Sequence, residues 1–251
     1  MHSKWVVVVL NLLCTSVLAQ DTVDHVGHFA AAVSTTPPPP WQVIRFDKKI
    51  PPTKYQVISW DGVIAIEAEA NSSMALLARP LLLDLTHTPI LCWRWRVDAP
   101  LKTADMATKS GDDYAARVYL AFNLPTEIID LITKAKLKIA RSLYGNHVPD
   151  AALNYVWDNR YPVGTRRPNA YTERTQMIVL RSGPQYAGRW VTERRNILAD
   201  AILAFGTDRV SPTLLAVASD TDNTGEHAHS GFADLHFVPS NTKCDFPMIK
   251  Q

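Results

Sequence analysis

The sequence has almost no excess of charge of either sign. Its 251 residues contain 26 Lys and Arg against 24 Asp and Glu, which leaves a formal net charge of +2. Proteins that bind nucleic acid through its phosphates usually carry a strong basic excess. We therefore expect no nucleic acid among the partners of this chain.

Long hydrophobic runs are also missing. An apolar stretch near the N-terminus, residues 5–13, is too short to cross a bilayer of about 30 Å as a helix. Lys4 precedes it and Val17-Leu18-Ala19 follows it, a pattern typical of a secretion signal cleaved after Ala19. A buried N-terminal strand is the alternative. The sequence thus predicts an exported protein, periplasmic or extracellular, with no transmembrane helix in its mature form.

Cysteine is scarce, with three residues in the whole chain. Cleavage of the signal removes Cys14 and leaves Cys92 and Cys244. In an oxidising compartment these two can pair, and a bridge over a loop of about 150 residues would contribute on the order of 4 kcal/mol. Two separate thiols are equally compatible with the sequence, so the pairing stays open.

No alternation of strands and helices occurs, which argues against Rossmann and TIM-barrel architectures. The dominant pattern has a period of two, the signature of half-buried strands. Nine segments carry it: KYQVIS, GVIAIEAEA, RPLLLDL, ILCWRWRV, DYAARVYLAF, ALNYVWD, TQMIVLRS, PTLLAVAS and GFADLHFV. The sequence therefore predicts a mainly β fold, an antiparallel jelly-roll-like β-sandwich.

Two segments have helical spacing instead. Residues 125–143 read as an amphipathic helix inserted between strands, and NILADAILAFG reads as a short helix ending at Gly206. The domain organisation that follows is a signal peptide at 1–19, a Pro-rich linker at 20–40, a sandwich at 41–238 and a tail at 239–251.

Arginines and aromatic residues alternate along several predicted strands. Arg94 and Arg96 share one face of their strand while Trp93 and Trp95 share the other. The interpretation is a face that offers guanidinium groups and aromatic rings to a glycan or another cell-envelope component. Its candidate ligand-binding residues are Arg94, Arg96, Asp112, Asp113, Arg117, Tyr155, Trp157, Arg194, Arg195 and Asn196.

Each of these residues has a structural alternative. Tyr155 and Trp157 suit a sandwich core as well as a stacking surface, and polar runs such as 193–196 often form ion-pair networks. An enzyme, either a glycoside hydrolase or a polysaccharide lyase, is the rival function. Its catalytic residues are unknown, and its candidate carboxylates are Asp112, Asp113, Glu193, Asp220 and Asp222.

The stretch SDTDNTGEHAHSG, residues 219–231, is rich in potential metal ligands. Asp220, Asp222 and Asn223 offer hard oxygen atoms for a structural Ca²⁺, although the spacing departs from an EF-hand loop. His227 and His229 would point the same way on a strand and suit zinc. A plain β-turn at DNTG is the alternative.

Several segments together resemble a bacterial exported family catalogued as domain of unknown function 3047. They are YQVISWDG, PILCWRWRVDAPL, KSGDDYAARVYLAF, LNYVWD, RWVTERRNILADAILAFG and SDTDNTG, in this order, within residues 41–238. The resemblance implies an exported protein whose sandwich is like those of carbohydrate-binding modules and some polysaccharide-active enzymes. The resemblance covers the metal candidates and the ligand-binding candidates above except Arg94 and Arg96, and it adds Asp200, but it does not extend to His227 or His229.

Overall fold

The structure, a computed structural model, describes residues 23–27, 29, 36–144 and 148–248. The predicted signal peptide lies outside these residues. In chain order the strands are β1 (Asp24–Gly27), β2 (Gln42–Ile44), β3 (Lys54–Trp60), β4 (Val63–Asn71), β5 (Leu76–Pro80), β6 (Ile90–Val97), β7 (Tyr114–Asn123), β8 (Ala151–Asp158), β9 (Arg166–Pro168), β10 (Thr175–Ser182), β11 (Val191–Asn196), β12 (Ser211–Asp220) and β13 (His227–Val238).

The strands form two sheets that pack face to face, which makes the fold a jelly-roll-like β-sandwich. The six-stranded sheet has the order β11-β6-β13-β4-β3, with β1 added beside β13. The seven-stranded sheet has the order β2-β5-β12-β7-β8-β10-β9. Neighbouring strands are antiparallel except β8 and β10, which run parallel. The predicted fold class is therefore confirmed, with one parallel pair as a departure.

The core lies between the sheets and is built from the period-two faces of their strands. Trp93 and Trp95 point inward from β6 and are fully buried. Tyr155 and Trp157 point inward from β8, with ring centroids 5.7 Å from Trp93 and Trp95 respectively. Large aromatic side chains supply much of the apolar area that a sandwich buries, so these four rings hold the sheets together.

Both predicted helices are present, and the first is shorter than predicted. Helix α1 spans Leu131–Tyr144, because the Asp130 carboxylate caps it by accepting a hydrogen bond from the Thr133 N–H at 2.9 Å. Residues 126–128 ahead of it form a 3-10 turn. Helix α2 spans Ile197–Phe205 and ends at Gly206, whose φ of 72° lies in the left-handed region that favours glycine.

Several boundaries of strands and segments differ from those predicted from the sequence. The strand expected in RPLLLDL instead occupies Leu76–Pro80, and Leu82 is exposed. Part of the predicted linker pairs with the sheet, since β1 lies antiparallel to β13. The C-terminal tail is attached as well, because Cys244 forms a disulfide with Cys92 of β6 at a Cα–Cα distance of 5.8 Å.

Candidate functional site

The outer face of the six-stranded sheet carries two half-buried tryptophans. Trp60 ends β3 and Trp190 precedes β11, and their rings meet edge to face with centroids 6.0 Å apart. Trp190 donates a hydrogen bond from Nε1 to the Trp60 carbonyl oxygen at 3.0 Å. Gly231 of β13 lies beneath them, and a Cβ there would come within 2.7 Å of Trp190. The lack of a side chain at Gly231 is thus what lets the indoles rest on the sheet.

Arg96 and His229 flank Trp60 on this face. The Arg96 guanidinium lies 4.1 Å from the Trp60 ring centroid, and the His229 ring stacks on Trp60 at 4.3 Å. Arg96 also donates to Asp61 at 2.5 Å. We call the surface formed by Trp60, Trp190, Arg96, His229 and Glu67 the tryptophan face.

His229 is held between two carboxylates. Its Nδ1 lies 2.7 Å from an Asp98 oxygen, and its Nε2 lies 2.8 Å from a Glu67 oxygen. Burial lowers the pKa of His229, but the hydrogen bonds to Asp98 and Glu67 outweigh burial and raise the pKa above its ordinary value. His229 therefore favours the charged imidazolium, which donates from both ring nitrogens.

Glu67 and Glu69 project from β4 toward the same histidine. One ligand atom from each of Glu67, Glu69 and His229 lies within 4.8 Å of the other two. Gln56 donates to the second oxygen of Glu67, which fixes that carboxylate. His227 is not part of this group. His227 and His229 therefore do not converge on one site in the way that the zinc hypothesis from the sequence required.

The other arginines of β6 and β11 on this outer face are covered or tied to the tail. Arg94 is buried, with its Nε 2.7 Å from an Asp234 oxygen and its guanidinium 5.3 Å from the Phe246 ring centroid. Arg94 also donates to the Pro247 carbonyl oxygen. Arg194 donates to the Ser240 carbonyl oxygen at 2.7 Å. These two arginines therefore anchor the C-terminal segment rather than face a ligand.

A second polar cluster lies at one end of β7 and β12 in the seven-stranded sheet. It brings together four carboxylates from the two motifs that the sequence singled out: Asp112, Asp113, Asp220 and Asp222. We call these four residues the acidic cluster. Ligand oxygens of Asp113, Asp220 and Asp222 lie within 4.8 Å of one another. Residues from two motifs more than 100 positions apart in the sequence therefore meet at this end of the sheet.

Arg117 neutralises one member of the acidic cluster. Its Nε donates to Asp220 Oδ1 at 2.8 Å, and its NH2 group contacts the other oxygen of Asp220. Both side chains are buried. A bidentate pair of this kind is among the strongest hydrogen-bonded contacts in proteins, so Arg117 is a structural counterion.

Asp113 holds the 221–225 turn. Its Oδ2 accepts hydrogen bonds from the Asn223 N–H at 3.0 Å and the Thr224 N–H at 2.7 Å. Its Oδ1 accepts from the Asn223 side-chain amide at 3.0 Å. Asp113 is fully buried, and its oxygens serve to fix the backbone of the turn.

Asp112 and Asp222 are the less compensated members of the acidic cluster. Asp112 accepts from the Asn169 amide at 2.9 and 2.8 Å. Burial raises the pKa of Asp112, and burial together with neighbouring Asp113 raises the pKa of Asp222. Asp222 Oδ1 is buried with no hydrogen-bond partner among the described residues.

The calcium site expected at Asp220, Asp222 and Asn223 keeps only part of its ligand set. Asn223 Oδ1 accepts a hydrogen bond from the Tyr171 hydroxyl at 3.0 Å, and both Asp220 oxygens face Arg117. Calcium takes six to eight oxygen ligands. Among these three side chains, only the Asp222 carboxylate retains an oxygen without a hydrogen-bond partner. A structural calcium ion at this turn stays a prediction, and Asn223 is removed from its expected ligands.

The stacking role expected for Tyr155 and Trp157 is wrong, because both rings lie in the core. The Tyr155 hydroxyl donates to Asp200 Oδ2 at 2.7 Å, and Arg195 donates to the same carboxylate at 2.8 Å. Asn196 caps α2 by accepting from the Ala199 N–H at 2.9 Å. Tyr155, Arg195 and Asn196 thus hold α2 against the sandwich, near β6 and β8, and do not meet the acidic cluster.

Glu193, a candidate carboxylate of the enzyme hypothesis, is hydrogen-bonded to Trp95 and Arg181. Its Oε1 accepts from Trp95 Nε1 at 3.0 Å and from Arg181 Nε at 2.5 Å. Burial raises the pKa of Glu193 in spite of Arg181. Its contacts link the edges of the two sheets, which is a structural role.

The two tryptophans of the tryptophan face were not identified from the sequence. Trp60 and Trp190 stand at strand ends, beside turn residues, where the period-two pattern gives no signal. The hydrogen-bonded partner of His229 is Glu67, 162 positions away in the chain. The segment EAE of β4 does show two glutamates on one face, and Arg96 and His229 were singled out from the sequence as well, but no pattern in the sequence joins these residues into one site.

Comparison with solved structures gives distant matches. The xyloglucanase domain of NopAA, a type three effector from Sinorhizobium fredii solved with cellobiose, is 8% identical with a TM-score of 0.40 and covers 80% of this chain and 93% of its own. A family 12 glycoside hydrolase is 10% identical with a TM-score of 0.39, and the match covers 80% of this chain and 97% of the hydrolase. Endoglucanase 3 of Trichoderma harzianum is 8% identical with a TM-score of 0.38, and the match covers 88% of this chain and 97% of the endoglucanase.

Comparison by sequence gives no match among the curated proteins. A family model does match, over residues 39–236, which is most of the chain and both sheets of the sandwich apart from β1 and the last residues of β13. The chain therefore belongs to the family described as Protein of unknown function (DUF3047).

Proposed function

We propose that this chain is an exported protein that binds a glycan on the tryptophan face. The observation that carries the proposal is the pair of half-buried indoles, Trp60 and Trp190, set among charged hydrogen-bonding groups. Apolar faces of sugar rings pack against aromatic faces. Asp61 and Asp98, whose side chains are 68% and 50% exposed, supply acceptors beside the rings for sugar hydroxyls, and Arg96 and His229 hold these carboxylates in place. Of the ten ligand-binding candidates expected from the sequence, Arg96 alone belongs to the tryptophan face.

Export is supported by the Cys92–Cys244 disulfide. Disulfides form and persist in oxidising compartments such as the periplasm and the extracellular space. A glycan of the cell envelope or its surroundings would be within reach of a protein in either compartment.

Replacing Trp60 or Trp190 by Ala is expected to weaken glycan binding at least tenfold, which corresponds to about 1.4 kcal/mol. Trp190 offers a ring against which a sugar would pack, and Trp60 holds Trp190, Arg96 and His229 in place around it. The measurement is affinity electrophoresis and calorimetry against xyloglucan, xylan, polygalacturonate and chitin oligosaccharides. Phe46→Ala is the matched control, because Phe46 is an exposed aromatic residue outside the tryptophan face. Absence of binding to every polymer, or equal binding by the tryptophan variants, would show the proposal to be wrong.

Glycoside hydrolysis is the second candidate function, favoured by one observation. Oxygens of Glu67 and Glu69 lie within 4.8 Å of each other on the same face as the tryptophans. Retaining glycosidases hold two carboxyl groups about 5 to 5.5 Å apart. Glu67 is buried and bonded to His229 and Gln56, whereas Glu69 is exposed, and two carboxylates in such different environments can take the separate roles of acid and nucleophile.

If hydrolysis occurs, Glu67→Gln and Glu69→Gln should each lower its rate by about a hundredfold or more, since each removes a group that transfers a proton or attacks the sugar. Release of reducing ends from the same polysaccharides measures the rate. Glu173→Gln, an exposed glutamate away from this face, serves as the control. A wild-type chain that binds but releases nothing leaves the binding proposal intact and excludes hydrolysis of those polymers.

A further inference from the structure

Helix α1 turns its most apolar stripe toward solvent. Leu131, Ile132 and Ile139 are 81%, 69% and 61% exposed. At 100° per residue these side chains and Ala135 fall within an arc of about 100°. The helix instead contacts the protein through the opposite side, where Leu137 is buried. An amphipathic helix normally buries its apolar stripe, so this orientation leaves the stripe free to contact something else.

Basic residues border the stripe on both sides. Lys134 and Lys138 follow one edge and Lys136 the other, and all three are exposed. Among the described residues none of these lysines forms an ion pair with a carboxylate. The acids near the start of α1 are engaged elsewhere, since Asp130 caps the helix and Glu127 pairs with Arg209 at 2.7 Å. Residues 131–144 contain no acid at all.

The attachment of α1 keeps this face outward. Arg141 pairs with Asp150 at 2.9 Å and donates from Nε to the Val148 carbonyl oxygen at 2.9 Å. Asp150 Oδ2 in turn accepts from the Leu124 N–H at 3.0 Å. These contacts fix the far side of the helix to the ends of β7 and β8, so the exposed stripe is a formed surface.

We propose that α1 docks on an anionic lipid surface, with the apolar stripe inserted among the acyl chains and the lysines at the headgroups. Helices that lie in a membrane interface have an apolar face with Lys and Arg along its borders. A second copy of this chain is a poor occupant of the stripe, because it would bring equally basic borders together. No helix in the described part of the chain is long and apolar enough for a membrane span, so contact through α1 would be peripheral.

The test is co-sedimentation of the purified chain with vesicles of phosphatidylcholine alone or with about one-third phosphatidylglycerol. We expect binding to the anionic vesicles only, and weaker binding in 1 M salt, where the Debye length falls to about 3 Å. Ile132→Ser with Ile139→Ser should reduce binding at least tenfold. Lys134→Gln, Lys136→Gln and Lys138→Gln combined should do the same, since each lysine near such a surface contributes on the order of fivefold.

The matched controls are Leu82→Ser, an apolar residue that is 95% exposed elsewhere, and Lys48→Gln with Lys49→Gln. Both should bind as the wild type does. All variants change exposed side chains, and an unchanged melting temperature will show that they are folded. No sedimentation with anionic vesicles, equal loss in the controls, or a dimer that the isoleucine variants dissociate would each overturn the proposal, the last by assigning the stripe to a second copy.

Discussion

Replacing Arg117 by Met is expected to lower the free energy of unfolding by about 3 to 5 kcal/mol. The change leaves Asp220 buried without its counterion, beside Asp113 and Asp222. A buried charge that loses its partner keeps its full desolvation cost, which is why breaking such a pair costs more than the pair contributes. Urea unfolding at pH 7 measures the difference.

The matched control is Arg209→Met. Arg209 also pairs with a carboxylate, Glu127, but the two side chains are 63% and 57% exposed. Exposed pairs contribute about 0 to 1 kcal/mol, so this variant should unfold almost like the wild type. Equal losses from Arg117→Met and Arg209→Met would contradict the assignment of Arg117 as a buried counterion.

Acid should partly restore the Arg117→Met variant. Burial raises the pKa values of Asp112 and Asp222 in the folded wild type and Arg117 opposes the rise, so both pKa values should lie higher still in the variant, which lacks Arg117. A carboxyl group with a raised folded-state pKa binds more protons in the folded than in the unfolded state, so its effect on stability improves as the pH falls toward that pKa. Protonation at Asp112 or Asp222 also relieves like-charge repulsion. The stability gap to the wild type should therefore narrow between pH 7 and mildly acidic pH.

The fold was predictable because most strands of this sandwich have a core face and an outer face. In β6 the sequence alternates tryptophan with arginine, and in the structure Trp93 and Trp95 point into the core while Arg94 and Arg96 point to the outer face. The short strands β1, β2 and β9 have three or four residues, too few for a period to show. Their positions depend on partners distant in the chain, such as β13 for β1.

The site was only partly predictable, for a related reason. Period two shows that Tyr155 and Trp157 share a face, but it does not show whether that face meets water or the second sheet. The polar motifs around Asp113 and Asp220 meet in the structure, but the Asp113 oxygens bond to the turn and the Asp220 oxygens bond to Arg117. The accessible indoles stand at strand ends, and only the folded structure places them over Gly231.

Replacing Cys244 by Ser is expected to cost about 2 to 5 kcal/mol of unfolding free energy. The bridge to Cys92 closes a loop with a sequence separation of 152, and a link of this span removes much conformational freedom from the unfolded chain. It also holds the tail against the sheet, where Phe246 and Pro247 cover Arg94. Loss of the bridge should therefore release the tail and expose the Arg94–Asp234 pair.

Guanidinium unfolding with and without reductant measures this effect, in the chain from Gln20 onward, which no longer contains Cys14. Reductant should lower the stability of the parent to that of the Cys244→Ser variant and leave the variant unchanged. Hydrogen exchange should rise at residues 240–248 in the variant, while the core strands β6 and β8 keep their protection, since the tail can open without separating the sheets. A variant as stable as its parent would show that the tail and its bridge add nothing to the sandwich, and that the sheets alone account for its stability.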